Sequence, residues 1–228
     1  MSTVSSLGYH MPAEWHPHTC CFMGWPCGLK TWGEGMAAAK VAYAKVAKAI
    51  RKFEPVVMVA RPEDAKAARS KCGKQIEVLE IPMDDSWSRD SGPTFVINHK
   101  SNIAGIDWKF NQWGADYPDI EDDVGFAKRL LDHYGIHCFA APFVLEGGSI
   151  HVDGDGTLLT TEQCLLNPNR NPDMGQEEIE LLRKQVEHLK FLLRDVLQNQ
   201  KFDDENLAQQ VAERELERGG GERHVLKV

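Results

Sequence analysis

Trp87-Ser88-Arg89-Asp90-Ser91-Gly92-Pro93 runs straight into Thr94-Phe95-Val96-Ile97. The first part gathers an indole, a guanidinium and a carboxylate within four residues. The second is a β-branched, aromatic run. Gly92-Pro93 between them is turn chemistry, so a charged, aromatic loop is expected at the mouth of a buried strand. Loops held by rigid strands are where binding groups concentrate. The plainer alternative is that Arg89 and Asp90 form a local salt bridge while Trp87 fills a core gap.

Upstream, Cys20–Trp25 reads as a short strand ended by Pro26 and Gly28. Met36–Phe53 reads as an alanine-rich helix whose inner face is Tyr43, Val46, Ala47, Ile50 and Phe53. Val56–Ala60 is a strand by composition. A second helix opens at Pro62-Glu63-Asp64, where proline and acids suit the first turn, and stops at Gly73. Ile76–Ile81 is the strand that delivers the chain to Trp87. Downstream, Thr94–Ile97 and Ile103–Trp108 form a hairpin. A second aromatic, polar cluster follows at 107–114, then a helix over Asp122–Tyr134 capped by Gly135, and a strand over Ile136–Ala141. Ser149–Val152 and Thr157–Thr161 face each other across Gly154-Asp155-Gly156.

These elements recur as strand, strand, helix, strand. Units of that kind stack or close on one another to bury their faces, which predicts an α/β array rather than a nucleotide-binding sheet. Neither a Gly-x-Gly-x-x-Gly nor a Walker motif is present. A net charge of -8 over 228 residues argues against nucleic acid and is compatible with a cationic small molecule. Without a long apolar run or a signal-like start, no membrane partner and a cytoplasmic location are expected. The six cysteines form no Cys-x-x-Cys pair, so reduced, mostly buried thiols are expected. His10, His16 and His18 match no metal spacing and read as loop histidines.

From Gln176 the composition turns highly charged. Ile179, Leu182, Val186, Leu189, Leu193 and Val196 alternate three and four apart. That predicts an amphipathic helix over 176–197, which either covers a sheet or pairs with a second copy. A weaker helix over Leu207–Arg218 and a disordered end follow.

Two carboxylates carry the chemistry. Asp90 sits in the tryptophan-rich loop, and Glu146 precedes Gly147-Gly148, where missing Cβ atoms allow close approach. Carboxylates beside indoles suit a planar cation, since a guanidinium bonds carboxylate bidentately and stacks on aromatic faces. All six tryptophans lie between Trp15 and Trp113, which fits an aromatic cage or a tryptophan-rich core.

At these positions the chain resembles the agmatine deiminase family, of the porphyromonas-type peptidylarginine deiminase group. The resemblance rests on Met11-Pro12-Ala13-Glu14-Trp15, Trp25-Pro26, the 87–96 stretch, Asp107-Trp108-Lys109-Phe110-Asn111, Leu145–Asp153 and Thr160–Pro172. It implies a pentein fold, a five-fold α/β propeller of ββαβ modules, here partial, with about two and a half modules over 8–182 and a helical tail over 183–228. It implies hydrolysis of agmatine to N-carbamoylputrescine and ammonia in putrescine biosynthesis, through a cysteine nucleophile and a histidine acid. Asp90 would grip the guanidinium, Trp87 would line the pocket, and Glu146 would bond the catalytic histidine and help hold the substrate. Neither metal nor organic cofactor is implied. The family's Gly-His-Val-Asp and Gly-Gly-Asn-Ile-His-Cys stretches do not occur here. His151 and Cys164 lie in matching motifs without those roles. The chain alone is therefore expected not to turn over agmatine. The alternative is a non-catalytic, truncated or spliced product that self-associates through the 176–197 helix.

Overall fold

The computed structural model describes residues 4–114, 120–174 and the pair 190–191. The chain opens with β1 (Tyr9–His10), β2 (Cys21–Gly24), the single turn α1 (Leu29–Trp32) and α2 (Met36–Ile50). Next come β3 (Val56–Ala60), α3 (Ala65–Cys72), β4 (Glu77–Glu80) and a one-turn α4 (Ser88–Ser91). The hairpin strands β5 (Thr94–Asn98) and β6 (Ile103–Lys109) lead to α5 (Glu121–Val124), α6 (Phe126–His133) and β7 (His137–Val144). The described residues close with β8 (His151–Val152), β9 (Thr157–Leu159), α7 (Glu162–Leu165) and β10 (Lys190–Phe191).

Three sheets result. In one, β2, β3 and β4 run parallel. In the second, the order is β1-β5-β6-β7, with β5 antiparallel to β6 and β6 parallel to β7. The third repeats that scheme, with β8 antiparallel to β9 and β9 parallel to β10. The strand, strand, helix, strand rhythm of the sequence is thus real. The last pairing corrects the helix expected over 176–197: within it Lys190–Phe191 is a strand, where main-chain bonding to the free edge of β9 outweighs the three-four spacing of apolar residues. The rest of that helix, and the one over Leu207–Arg218, lie outside the described residues.

Helix α2 ends three residues earlier than expected and buries only part of the expected face, with Ala47 fully buried and Ile50 packed against the core. Ala39, Ala44 and Ala47 point inward, whereas Val46 is 49% exposed and Phe53 86%. Small side chains let the helix settle against β3, where Ala44 and Ala47 join Trp25, Val56 and Met58. Phe53 falls in the turn beyond the helix end.

The helix expected over 122–134 is two pieces, because its first turn is tied elsewhere. Asp122 N and Asp123 N both donate to Asp84 Oδ2 at 3.0 Å, and Asp123 Oδ1 accepts from Asp84 N at 2.9 Å. Gly125 takes up the change of direction. In α6 the buried side is Phe126, Ala127, Leu130 and Leu131, while Val124 stays outside. Leu131 fills the space that a Cβ on Gly105 of β6 would need. Gly135, at φ 62, closes the helix: its N–H meets Asp132 O and Ile136 N–H meets Leu131 O, a Schellman ending.

The β8–β9 hairpin turns through Gly154 (φ 79) and Gly156 (φ 97), with Asp153 Oδ1 accepting from Asp155 N and Thr157 N. Both strands are shorter than the sequence implied. Ser149 belongs to the preceding 3-10 turn, and Thr161 caps α7 by accepting from Cys164 N.

Candidate active site

The 87–93 stretch winds into one turn of helix instead of an open loop, with Asp90 N and Ser91 N both donating to Trp87 O. This turn lies against the 147–149 turn. A Cβ on Gly147 would collide with the Arg89 carbonyl oxygen, and one on Gly148 with Asp90 Oδ1. Gly147 is therefore needed for the two backbones to meet, and Gly148 leaves room for the Asp90 carboxylate against its N–H, the close approach the sequence implied.

Arg89 and Asp90 do not pair with each other. Arg89 turns to Glu14 (Nη2 to Oε1 2.5 Å) and to Gly147 O (3.0 Å). That guanidinium holds the Glu14 carboxyl below the usual range. Asp90 faces the other way. Its Oδ1 accepts from Gly148 N at 2.8 Å and its Oδ2 from Trp113 Nε1 at 3.1 Å. Trp87 is no core filler either, since it is 40% exposed. Its ring stands edge to face with Trp113, centroids 5.7 Å apart, and Trp113 meets Phe110 the same way at 5.5 Å. An indole wall therefore stands beside the Asp90 carboxylate.

Behind this wall sits Asp85, buried and fully engaged. Its oxygens accept from Trp87 Nε1 at 3.1 Å, Trp32 Nε1 at 3.2 Å, Ser86 N at 2.7 Å and the Thr31 hydroxyl. One carboxylate thus fixes two indoles and joins α1 to the Trp87 loop.

Glu146 is only 2% exposed. Its Oε1 takes a charge-assisted bond from Arg170 Nε at 2.7 Å. Burial of the two charges is tolerable because they are paired. Arg170 also lies under Gly114, and Asn169 O accepts from Asn111 Nδ2 at 2.9 Å. The 167–171 loop therefore braces both carboxylate arms: Glu146 directly, and the 111–114 turn that carries Trp113. That turn is strained. Gln112 (φ 52) and Trp113 (φ 60) are left-handed without being glycine, at about 1–3 kcal/mol each.

Cys27 and Cys72 are buried and the other four thiols half-buried; all six are free. Burial pushes Cys20, Cys21, Cys72 and Cys138 up, and Cys27 up to about 12. That is the opposite of what an attacking thiolate needs. Of the three early histidines, His16 and His18 are exposed, but His10 lies in β1, half-buried. Among the described residues, no cluster of three or more His, Cys, Asp or Glu could hold a metal ion, and no helix is long and apolar enough to cross a membrane.

The family model for Porphyromonas-type peptidyl-arginine deiminase matches residues 10–214. The chain belongs to this family. Among its relatives, a putative agmatine deiminase of Legionella pneumophila is 50% identical over 175 residues, 76% of this chain and 50% of its own, and the agmatine deiminase of Stutzerimonas stutzeri is 47% identical over 194 residues, 82% and 52%. The solved agmatine deiminase of Enterococcus faecalis superposes with a TM-score of 0.80 at 37% identity, covering 84% of this chain and 54% of that one. The deiminase-family chain thus has the partial pentein fold that the resemblance implied, and spans about half the length of the relatives it matches. Of its three expected site residues, Trp87 and Asp90 share one wall through Trp113, and Glu146 adjoins the Gly147-Gly148 turn on which Asp90 rests. The sequence reading missed Trp113, Asp85 and Arg170. Trp113 stood in the second aromatic cluster, and Arg170 in an Asn-Pro-Asn-Arg-Asn run, but nothing local indicated what either touches.

Proposed function

We propose that this chain is the guanidinium-holding part of an agmatine deiminase, a hydrolase that converts agmatine to N-carbamoylputrescine and ammonia on a route to putrescine. Asp90 takes the guanidinium through its carboxylate, Trp87 lines the pocket, and Glu146 supplies the second carboxylate, with its family role of bonding a catalytic histidine. The observation that carries this reading is Asp90 itself: its carboxylate is anchored by Gly148 N and flanked by the Trp87–Trp113 pair. A planar cation bonded to the carboxylate would lie along an indole face. The names of the relatives supply the substrate. Residues 8–182 form the working domain in this reading, without metal or cofactor, in the cytoplasm.

Hydrolysis by these 228 residues alone is not part of the proposal. The family's cysteine and histidine motifs are missing, and burial pushes five of the six thiols up, away from thiolate. The competing reading, self-association through 176–197, is weakened by the strand at Lys190–Phe191. Calorimetric titration of the purified chain with agmatine, beside an ammonia assay, tests the proposal. Expected are saturable binding, its loss in Asp90→Ala, and no ammonia. Absence of binding overturns the guanidinium-holding role; ammonia release abolished by Asp90→Ala overturns the inactivity.

A further inference from the structure

Three successive residues, Gln112, Trp113 and Gly114, have φ of 52, 60 and 74. Only glycine adopts that conformation freely, so a run through two larger side chains needs external support. The support is visible: Gly114 N donates to Asn111 Oδ1 at 3.0 Å, Asn111 Nδ2 donates to Asn169 O, and Arg170 lies beneath Gly114. The indole of Trp113 leaves this turn pressed between Trp87 and Phe110, with its N–H directed at Asp90 Oδ2.

We infer that Trp113 is a positioning residue, whose indole N–H fixes the plane of the Asp90 carboxylate for a two-pronged cation. This rests on Asp90 as the guanidinium clamp. Gly148 N already holds one carboxylate oxygen, and with one donor only the group could still swing about that bond. The second donor, on the other oxygen, removes this freedom. Each oxygen keeps a lone pair, so a guanidinium fork meets a pre-set acceptor pair, while a single-pronged ammonium gains less from the fixed plane. The strained turn puts the donor where a relaxed turn would not.

The test pairs a binding cycle with a spectrum. Trp113→Phe retains a ring against Trp87 and Phe110 but lacks the N–H. Its agmatine Kd is expected to rise about ten-fold, the worth of one hydrogen bond to a charged group, while the Kd of a simple alkylamine such as putrescine moves less. In an Asp90→Asn background the same change should add under about two-fold. Independently of any ligand, a proton–nitrogen correlation spectrum of the full chain carries six indole signals. The one lost in Trp113→Phe should shift in Asp90→Asn more than the other five. Full additivity of the two losses, or a Trp113 signal indifferent to Asp90→Asn, overturns the inference. Wild-type chain that fails to bind agmatine overturns the clamp reading instead, and leaves the indole signal to decide on Trp113.

Discussion

Glu146 is a charge placed where water barely reaches, so its stability rests on Arg170. Removing one partner of a buried pair leaves the other uncompensated, typically costing about 3–5 kcal/mol. Arg170→Ala is expected to lose stability on that scale in urea unfolding, and the Glu146→Gln/Arg170→Ala double variant should recover part of it. A second contrast is set by what each glycine faces. Gly147→Ala drives a methyl into the Arg89 backbone, which cannot yield, and should cost about 2–3 kcal/mol; Gly148→Ala meets only the end of the Asp90 side chain and should cost less. Thermal unfolding of the two variants separates them. At this scale the sequence was informative about residue types and silent about partners. Asp90 and Glu146 stand out because carboxylates beside tryptophans and glycines are unusual. Their bonds reach across 58, 24 and 23 residues, to Gly148, Arg170 and Trp113, and no local pattern encodes such distances.

Among the elements, strands were read well and helix faces in part. Val56–Ala60 is buried throughout, and a run of β-branched residues announces that. In α2 two large residues misled: Val46 and Phe53 were assigned inward but are exposed, while Ala39, Ala44 and Ala47 are buried and Ile50 packs against the core beside them. Phe53→Ser should therefore change stability by less than about 0.5 kcal/mol, whereas Ala47→Leu, at a position 0% exposed, should cost about 1–3 kcal/mol by overpacking. Chemical denaturation curves for the two variants check the reversal. The split between α5 and α6 was also beyond periodicity, since it depends on the Asp84–Asp123 exchange of main-chain and side-chain bonds.

Across the whole molecule, Asp123 links folding to pH. It is 2% exposed, and burial raises its carboxyl from 3.8 to about 6 despite two backbone donors. Between those values the folded chain holds a proton that the unfolded chain has released. Asp123 therefore favours folding at the acid end of that window, and its contribution is lost as pH rises through about 6. Asp123→Asn removes the charge and keeps Oδ1 as acceptor. It should be more stable than the parent by about 1–2 kcal/mol at pH 7, with the gap closing toward pH 5. Urea midpoints at the two pH values measure this.

The perpendicular Trp87–Trp113 pair has a use in its own right. Two indoles at interplanar 88° and 5.7 Å are close enough to share an excited state, and coupled chromophores held in a fixed chiral arrangement give paired circular-dichroism bands of opposite sign. One ring comes from the turn before β5 and the other from the strained turn after β6. The couplet therefore exists only while those two segments are docked. Its loss on heating, compared with the loss of the helix signal, would report whether the indole wall melts with the core or ahead of it, with no dye or label added.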